Sequence, residues 1–179
     1  MTAETTTGAD SRAGRLLRTV TWGLFAAWAL HDAEELCTMA GWADRARPRL
    51  EQNLPWVPAA VWDRMSVSQE HATAAIGVMA CVIGTAAARG AHTNGRSPLY
   101  QATLAGFGLH AVPHLASAVV TRGYTPGVLT APTVVAPFAL WAWRRLRRAE
   151  VPIATSSSAG PPAGRRVWWR HTTRGGAAR

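Results

Sequence analysis

The stretch ATAAIGVMACVIGTAAA, residues 72–88, contains no acidic, basic or histidine side chain. It shows no alternation with period two, so a strand is not expected. An uncharged apolar run close to the roughly 20 residues that an α-helix needs to cross a bilayer reads as a membrane helix. Its small residues, Ala, Gly and Thr, let neighbouring helices approach closely.

Three further runs resemble it. The first, at about 17–37, has the apolar core VTWGLFAAWAL and ends in HDAEE. Two more, at about 98–121 and 124–143, carry no formal charge within them; Arg122 lies between the two and Arg144 follows the second. With the run at about 67–88 they predict an all-α, polytopic membrane protein with four transmembrane helices in a bundle. The domain would cover 16–148, between a disordered basic segment at 1–15 and a disordered basic tail at 149–179. TSSSAGPPAG in that tail is disordered by composition. The first run also has the form of a secretory leader, but AWA is a poor cleavage site because Trp is bulky.

All 19 basic residues of the 179-residue chain are arginines, against 10 acids, for a net charge of +9. Arg12, Arg15 and Arg18, then Arg89 and Arg96, then Arg144, Arg145, Arg147 and Arg148 all fall on one side of a four-span topology. The excess therefore reads as membrane orientation, with both termini cytoplasmic, and nucleic acid is not an expected partner. Membrane lipids are. The 9 tryptophans gather near the ends of the apolar runs, as in an interfacial belt. The 2 cysteines, Cys37 and Cys81, are too few for a disulfide framework and form no CxxC zinc motif. The connection at 41–65, with Pro48, Pro55, Pro58, Trp42, Trp56 and Trp62, reads as an outer cap or interfacial segment.

Polar groups break the apolar runs at particular places. His31, Glu34 and Glu35 have the spacing of one helix face, while Asp32 points about 100° away. Glu70 and His71 open the second run. His110 and His114 are spaced i, i+4 on the third, about 18 to 24 Å of rise from Pro98. Because successive helices alternate in direction, all three sets fall at one depth, in the outer half. Pro113, between the two histidines, removes a helical hydrogen bond and should kink the helix.

Each set alone has a plain reading: a solvated helix end, a helix start, a pair of packing histidines. Together they share a depth. Three ionised Glu side chains there repel by several kcal/mol per uncompensated charge, and no Lys or Arg lies inside the last three runs. Cations or protons must neutralise them. Imidazole nitrogens and carboxylate oxygens are ligands for zinc, iron or manganese. The candidate metal ligands are therefore His31, Glu34, Glu35, Glu70, His71, His110 and His114. Glu34 and Glu35 are the candidate general bases for metal-assisted hydrolysis of a lipid-soluble or membrane-embedded substrate. The same polar cluster would also suit an ion or metal transporter, or a non-enzymatic membrane subunit with polar groups as glue between helices.

HDAEE on a first membrane helix, HAVPH on a later one, and RGYTPGVLTA before the last run resemble, in that order, the HXXEE family of bacterial integral membrane proteins. The resemblance spans about residues 20–140. That family is functionally uncharacterised and has been regarded as a metal-binding membrane enzyme; the resemblance implies a multi-pass protein of the bacterial plasma membrane with His31, Glu34, Glu35, His110 and His114 as its site. The family's second-helix element has an Asn and a His-Glu pair; here Glu70 precedes His71, after SVSQ. YTPG itself is good turn chemistry, which gives Tyr124 to Gly127 a structural role beside the mouth of the site.

Overall fold

The computed structural model describes residues 4–154, and the tail beyond 154 lies outside them. Every regular element among the described residues is helical: α1 (Glu4–Thr38), α2 (Trp42–Asn53), α3 (Ala59–Met65), α4 (Gln69–His92), α5 (Pro98–Thr121), a π-helical turn (Ala131–Val135) and α6 (Ala136–Arg148). α4 and α5 are each long and apolar enough to cross a membrane. α1 continues back to Glu4, through the segment read as disordered.

Helix starts follow the local chemistry. Ser68 caps α4, its hydroxyl accepting from the His71 amide at 3.2 Å. Glu70, in the first turn of α4, lies where a negative charge favours the helix dipole. Ser97 caps α5 from just before Pro98, the position where proline's missing N–H costs nothing.

The last helix begins at Thr130 rather than at 124. Thr125 to Val128 form a tight turn closed by a 3.1 Å hydrogen bond from the Val128 amide to the Thr125 carbonyl. Pro126 and Gly127 occupy its centre, with Gly127 at φ +81°. That is a type II turn, whose third position requires a positive φ. The π-helical turn follows at once. Pro137 lacks an N–H and would press on the Thr133 carbonyl in a regular helix. The wider turn relieves this, and the Ala136 amide bonds instead to the Ala131 carbonyl.

α1, α4, α5 and α6 lie side by side in alternating directions. α4 runs against α1, with Gly84 beside Phe25 and Gly90 beside Thr21. α5 runs with α1, since the Tyr100 hydroxyl donates to the Val20 carbonyl at 3.2 Å and His110 sits over His31. α6 returns, bringing Phe138 against Phe107. Gly90 permits the tight α1–α4–α5 contact: a Cβ there would lie 2.6 Å from the Tyr100 ring. Val20, Leu24, Tyr100, Leu104, Val135 and Leu146 are wholly buried in the half opposite the cap.

α2 and α3 form the cap. Ala46, Leu50 and Trp62 make its small apolar core, and Arg47 ties α2 to α3 through Asp63 while also pairing with Glu51 within α2. Trp42 Nε1 and an Arg49 amino group both donate to the Tyr124 carbonyl, at 3.0 and 3.2 Å. The cap therefore holds the turn that precedes the last helix.

Candidate metal centre

α1 enters the site with His31 wholly buried and Glu35 nearly so. α5 supplies His110 and His114, one turn apart. One ligating atom from each of His31, Glu35, His110 and His114 lies within 4.8 Å of all the others. The three imidazoles stand nearly perpendicular to one another, with centroids 4.4 to 5.4 Å apart. His114 Nε2 is 2.9 Å from His110 Nε2 and 3.5 Å from Glu35 Oε1. Ligands at about 2.0–2.1 Å from a tetrahedral ion are spaced on the order of 3.3 Å apart, so small side-chain adjustments suffice.

The hydrogen bonds fix which ring nitrogens face inward. His114 Nδ1 is 2.8 Å from the Pro126 carbonyl oxygen. A carbonyl only accepts, so Nδ1 carries the proton and a neutral ring turns its Nε2 lone pair to the centre. His31 Nδ1 lies 2.6 Å from Thr130 Oγ1, and that hydroxyl is 2.6 Å from Glu34 Oε2. The hydroxyl gives its one proton to the carboxylate and accepts from His31 Nδ1–H. His31 Nε2 is left buried with no hydrogen-bond partner. A buried acceptor without a partner costs about 1–3 kcal/mol. A cation between the four side chains would satisfy it, and a carboxylate orienting a histidine ligand from behind is the usual support of such a ligand.

Glu34 stands outside this four-residue group. Its carboxylate accepts from the Tyr124 hydroxyl at 2.8 Å and the Leu129 amide at 3.2 Å, both on Oε1. On Oε2 it accepts from the Thr130 amide at 2.9 Å and the Thr130 hydroxyl at 2.6 Å. It closes the N-terminus of the last helix, where amides point outward and negative charge is favoured. Glu34 and Glu35 are adjacent in sequence and so about 100° apart around α1. One faces the last helix and the other faces α5.

The expected ligand set is thus divided. The structure brings together His31, Glu35, His110 and His114. Glu34 backs the site. Glu70 and His71 are exposed at the start of α4 and are not in the group, because that first turn precedes Ala72, where α4 first becomes buried. Asp32, set aside on angle alone, is 8% exposed. It lines a cavity of about 650 Å³ between α1, α4 and α5, together with Glu35 and His110. A second cavity, of about 620 Å³, lies under the cap and also reaches Glu35 and His110.

Sequence reading missed Thr130, and it set the turn beside the mouth of the site rather than against the histidines. The signal was present in the position of Gly127. A Cβ there would sit 2.5 Å from the His114 ring and 2.9 Å from His31. Gly127→Ala adds this overlap to a positive φ. The two together should cost about 2–4 kcal/mol, seen as a lower thermal midpoint and weaker metal retention in the purified variant. An unchanged midpoint would mean that the turn does not press on the histidines.

No curated protein and no solved structure matches the chain. Residues 22–142, which hold His31 and Glu35, both α5 histidines and the turn, match the family described as protein of unknown function with HXXEE motif, and the chain belongs to that family.

Proposed function

We propose that the protein is a metal-dependent enzyme of the membrane, with α1, α4, α5 and the last helix as a four-helix spanning bundle and both termini cytoplasmic. Three observations support the membrane reading. α4 and α5 have the length and apolarity of spans. Large apolar side chains such as Leu30, Val78, Val82, Leu109, Val119 and Leu140 are exposed around the helices, an arrangement that water would penalise. The arginines at 89, 96, 144, 145, 147 and 148 lie at the end away from the cap, as a cytoplasmic face would have them.

The observation that carries the enzymatic reading is the buried, partnerless His31 Nε2 facing His110, His114 and Glu35. Three imidazoles and one carboxylate suit zinc, iron or manganese. Such an ion supplies Lewis acidity toward an oxygen-bearing substrate. Asp32 is then the candidate general base. It faces the cavity beside Glu35 and makes no hydrogen bond among the described residues, whereas the oxygens of Glu34 are already taken by donors. Hydrolysis of a membrane-embedded substrate uses all of these groups.

A transport role is less well supported. The polar cluster stops at one end of the bundle; below it the core is Leu24, Leu104, Phe107 and Val135, and no buried acid or histidine continues it among the described residues.

Metal analysis tests the proposal. Protein purified in detergent, stripped with chelator and reloaded should retain about one equivalent of divalent metal. Loading at a hundred times the dissociation constant should add about 2.7 kcal/mol of stability. Metal well below one equivalent, with no thermal shift on zinc addition, would sink the reading.

A further inference from the structure

The cavity between α1, α4 and α5 has a polar end and an apolar end. Asp32, Glu35, His71 and His110 lie toward the cap, beside Met39 and Val67; Trp28, Val82, Ile83 and Phe107 lie toward the opposite face, with Thr103 as the one polar group among them. Along α4 its wall runs from His71 to Ile83, about 18 Å of helix rise. Along α5 it runs from Thr103 to His110, about 10 Å.

Small residues create the space. Ala72, Ala75 and Gly106 line the wall, and a Cβ built on Gly106 would meet nothing within 4 Å. The result is a trough, long in one direction, that begins at two groups of the candidate metal centre and continues into apolar surroundings. A compact polar metabolite would leave most of it unfilled. A molecule with one flexible aliphatic chain and a polar head matches both its length and its gradient of polarity.

We propose that this cavity seats a single aliphatic chain, and that the substrate is a long-chain amphiphile whose carbonyl or carboxyl head group lies against His110 and Glu35. The head-group half of this assignment rests on the metal-enzyme reading. The chain half rests on the shape and lining of the cavity. The cavity under the cap reaches the same two residues from the other side, so it offers the head group a separate route to the outer surface.

The test uses the full chain in phosphatidylcholine nanodiscs and the Gly106→Leu variant, which fills the trough from a position with free space around it. Zinc-loaded protein is titrated with acetohydroxamate and palmitohydroxamate, which share a metal-binding head. The ratio of wild-type to variant affinity should be near one for acetohydroxamate and at least about tenfold for palmitohydroxamate, because the leucine displaces several methylenes. A flat ratio in protein that holds zinc overturns the chain site and leaves the metal centre standing.

A second measurement does not need metal. A fatty acid with a diazirine near its methyl end is photolysed in the same nanodiscs, and labelled peptides are mapped. Labelling concentrated at Val82 and Ile83, and reduced at least about tenfold by Gly106→Leu, supports the chain site even in protein that fails to hold zinc. Labelling spread evenly over exposed apolar positions such as Val119 and Leu140 overturns it.

Discussion

Replacing both α5 histidines, His110→Ala with His114→Ala, should reduce metal content from about one equivalent to background, with affinity falling by at least a thousandfold. The two side chains supply half of the four-residue group. What remains, His31 and Glu35, is a two-ligand site on one helix. Each lost ligand removes a bond to the ion, whereas losing even a supporting hydrogen bond behind a ligand costs about 10–100-fold. The fold should survive. His110 is exposed and His114 half-buried, and α5 is anchored elsewhere by Tyr100, Leu104 and Phe107 in the core. Metal content by elemental analysis and helicity by circular dichroism separate the two effects. Full metal content in the double variant would show that the ion, if any, binds elsewhere.

Glu34→Ala should have the second-largest effect, and of a different kind. It removes no ligand from the group. It takes away the acceptor for the Tyr124 hydroxyl, the Leu129 and Thr130 amides and the Thr130 hydroxyl. Hydrogen bonds to a charged group contribute about 1.5–3 kcal/mol each, net of the exchange with water, when buried. With partial rehydration of the exposed members, a net loss of about 2–4 kcal/mol is expected. The Thr130 hydroxyl would then be free to turn, and His31 would lose the support that fixes its Nδ1 proton. Metal affinity should fall about 10–100-fold while stoichiometry at saturating metal stays near one. That pattern distinguishes Glu34 from a ligand. Glu34→Gln should recover little, because either orientation of its carboxamide turns the NH2 toward a backbone N–H, that of Leu129 or that of Thr130. Metal loss in Glu34→Ala as complete as in the double histidine variant would instead place Glu34 on the ion.

The chemistry of the site was partly legible in the sequence. His31 with Glu35, and His110 with His114, are each spaced i, i+4, and that spacing alone puts each pair on one helix face. The charge-free runs at 72–88 and 98–109 mark the helices that carry or adjoin them. Ser68 and Ser97 as caps, and Pro126-Gly127 as a turn, also follow from local rules. Glu70 and His71 show the limit of that reasoning. Their place in the chain puts them at the depth of the site, but depth does not bring a side chain to a centre when the first turn of its helix stays exposed.

What the sequence by itself determined, then, is that the four apolar runs form helices, that these alternate in direction, and which residue types stand at the cap end. Local backbone physics sets these, since it depends on propensity, capping and periodicity within a few residues. What only the tertiary structure decided is the rotation of each helix about its axis. A spacing of three or four residues confines side chains to an arc of about 100°, and neighbouring helices divide that arc. Packing against α5 and the last helix sent Glu35 to the histidines and Glu34 to the amides of residues 129 and 130. Packing against α4 turned Asp32 into a cavity. The turn after α5 then brought Thr130, 99 positions from His31 in the chain, to within 2.6 Å of its ring. No local rule reaches that far, because the contact exists only once the last helix has folded back along α1.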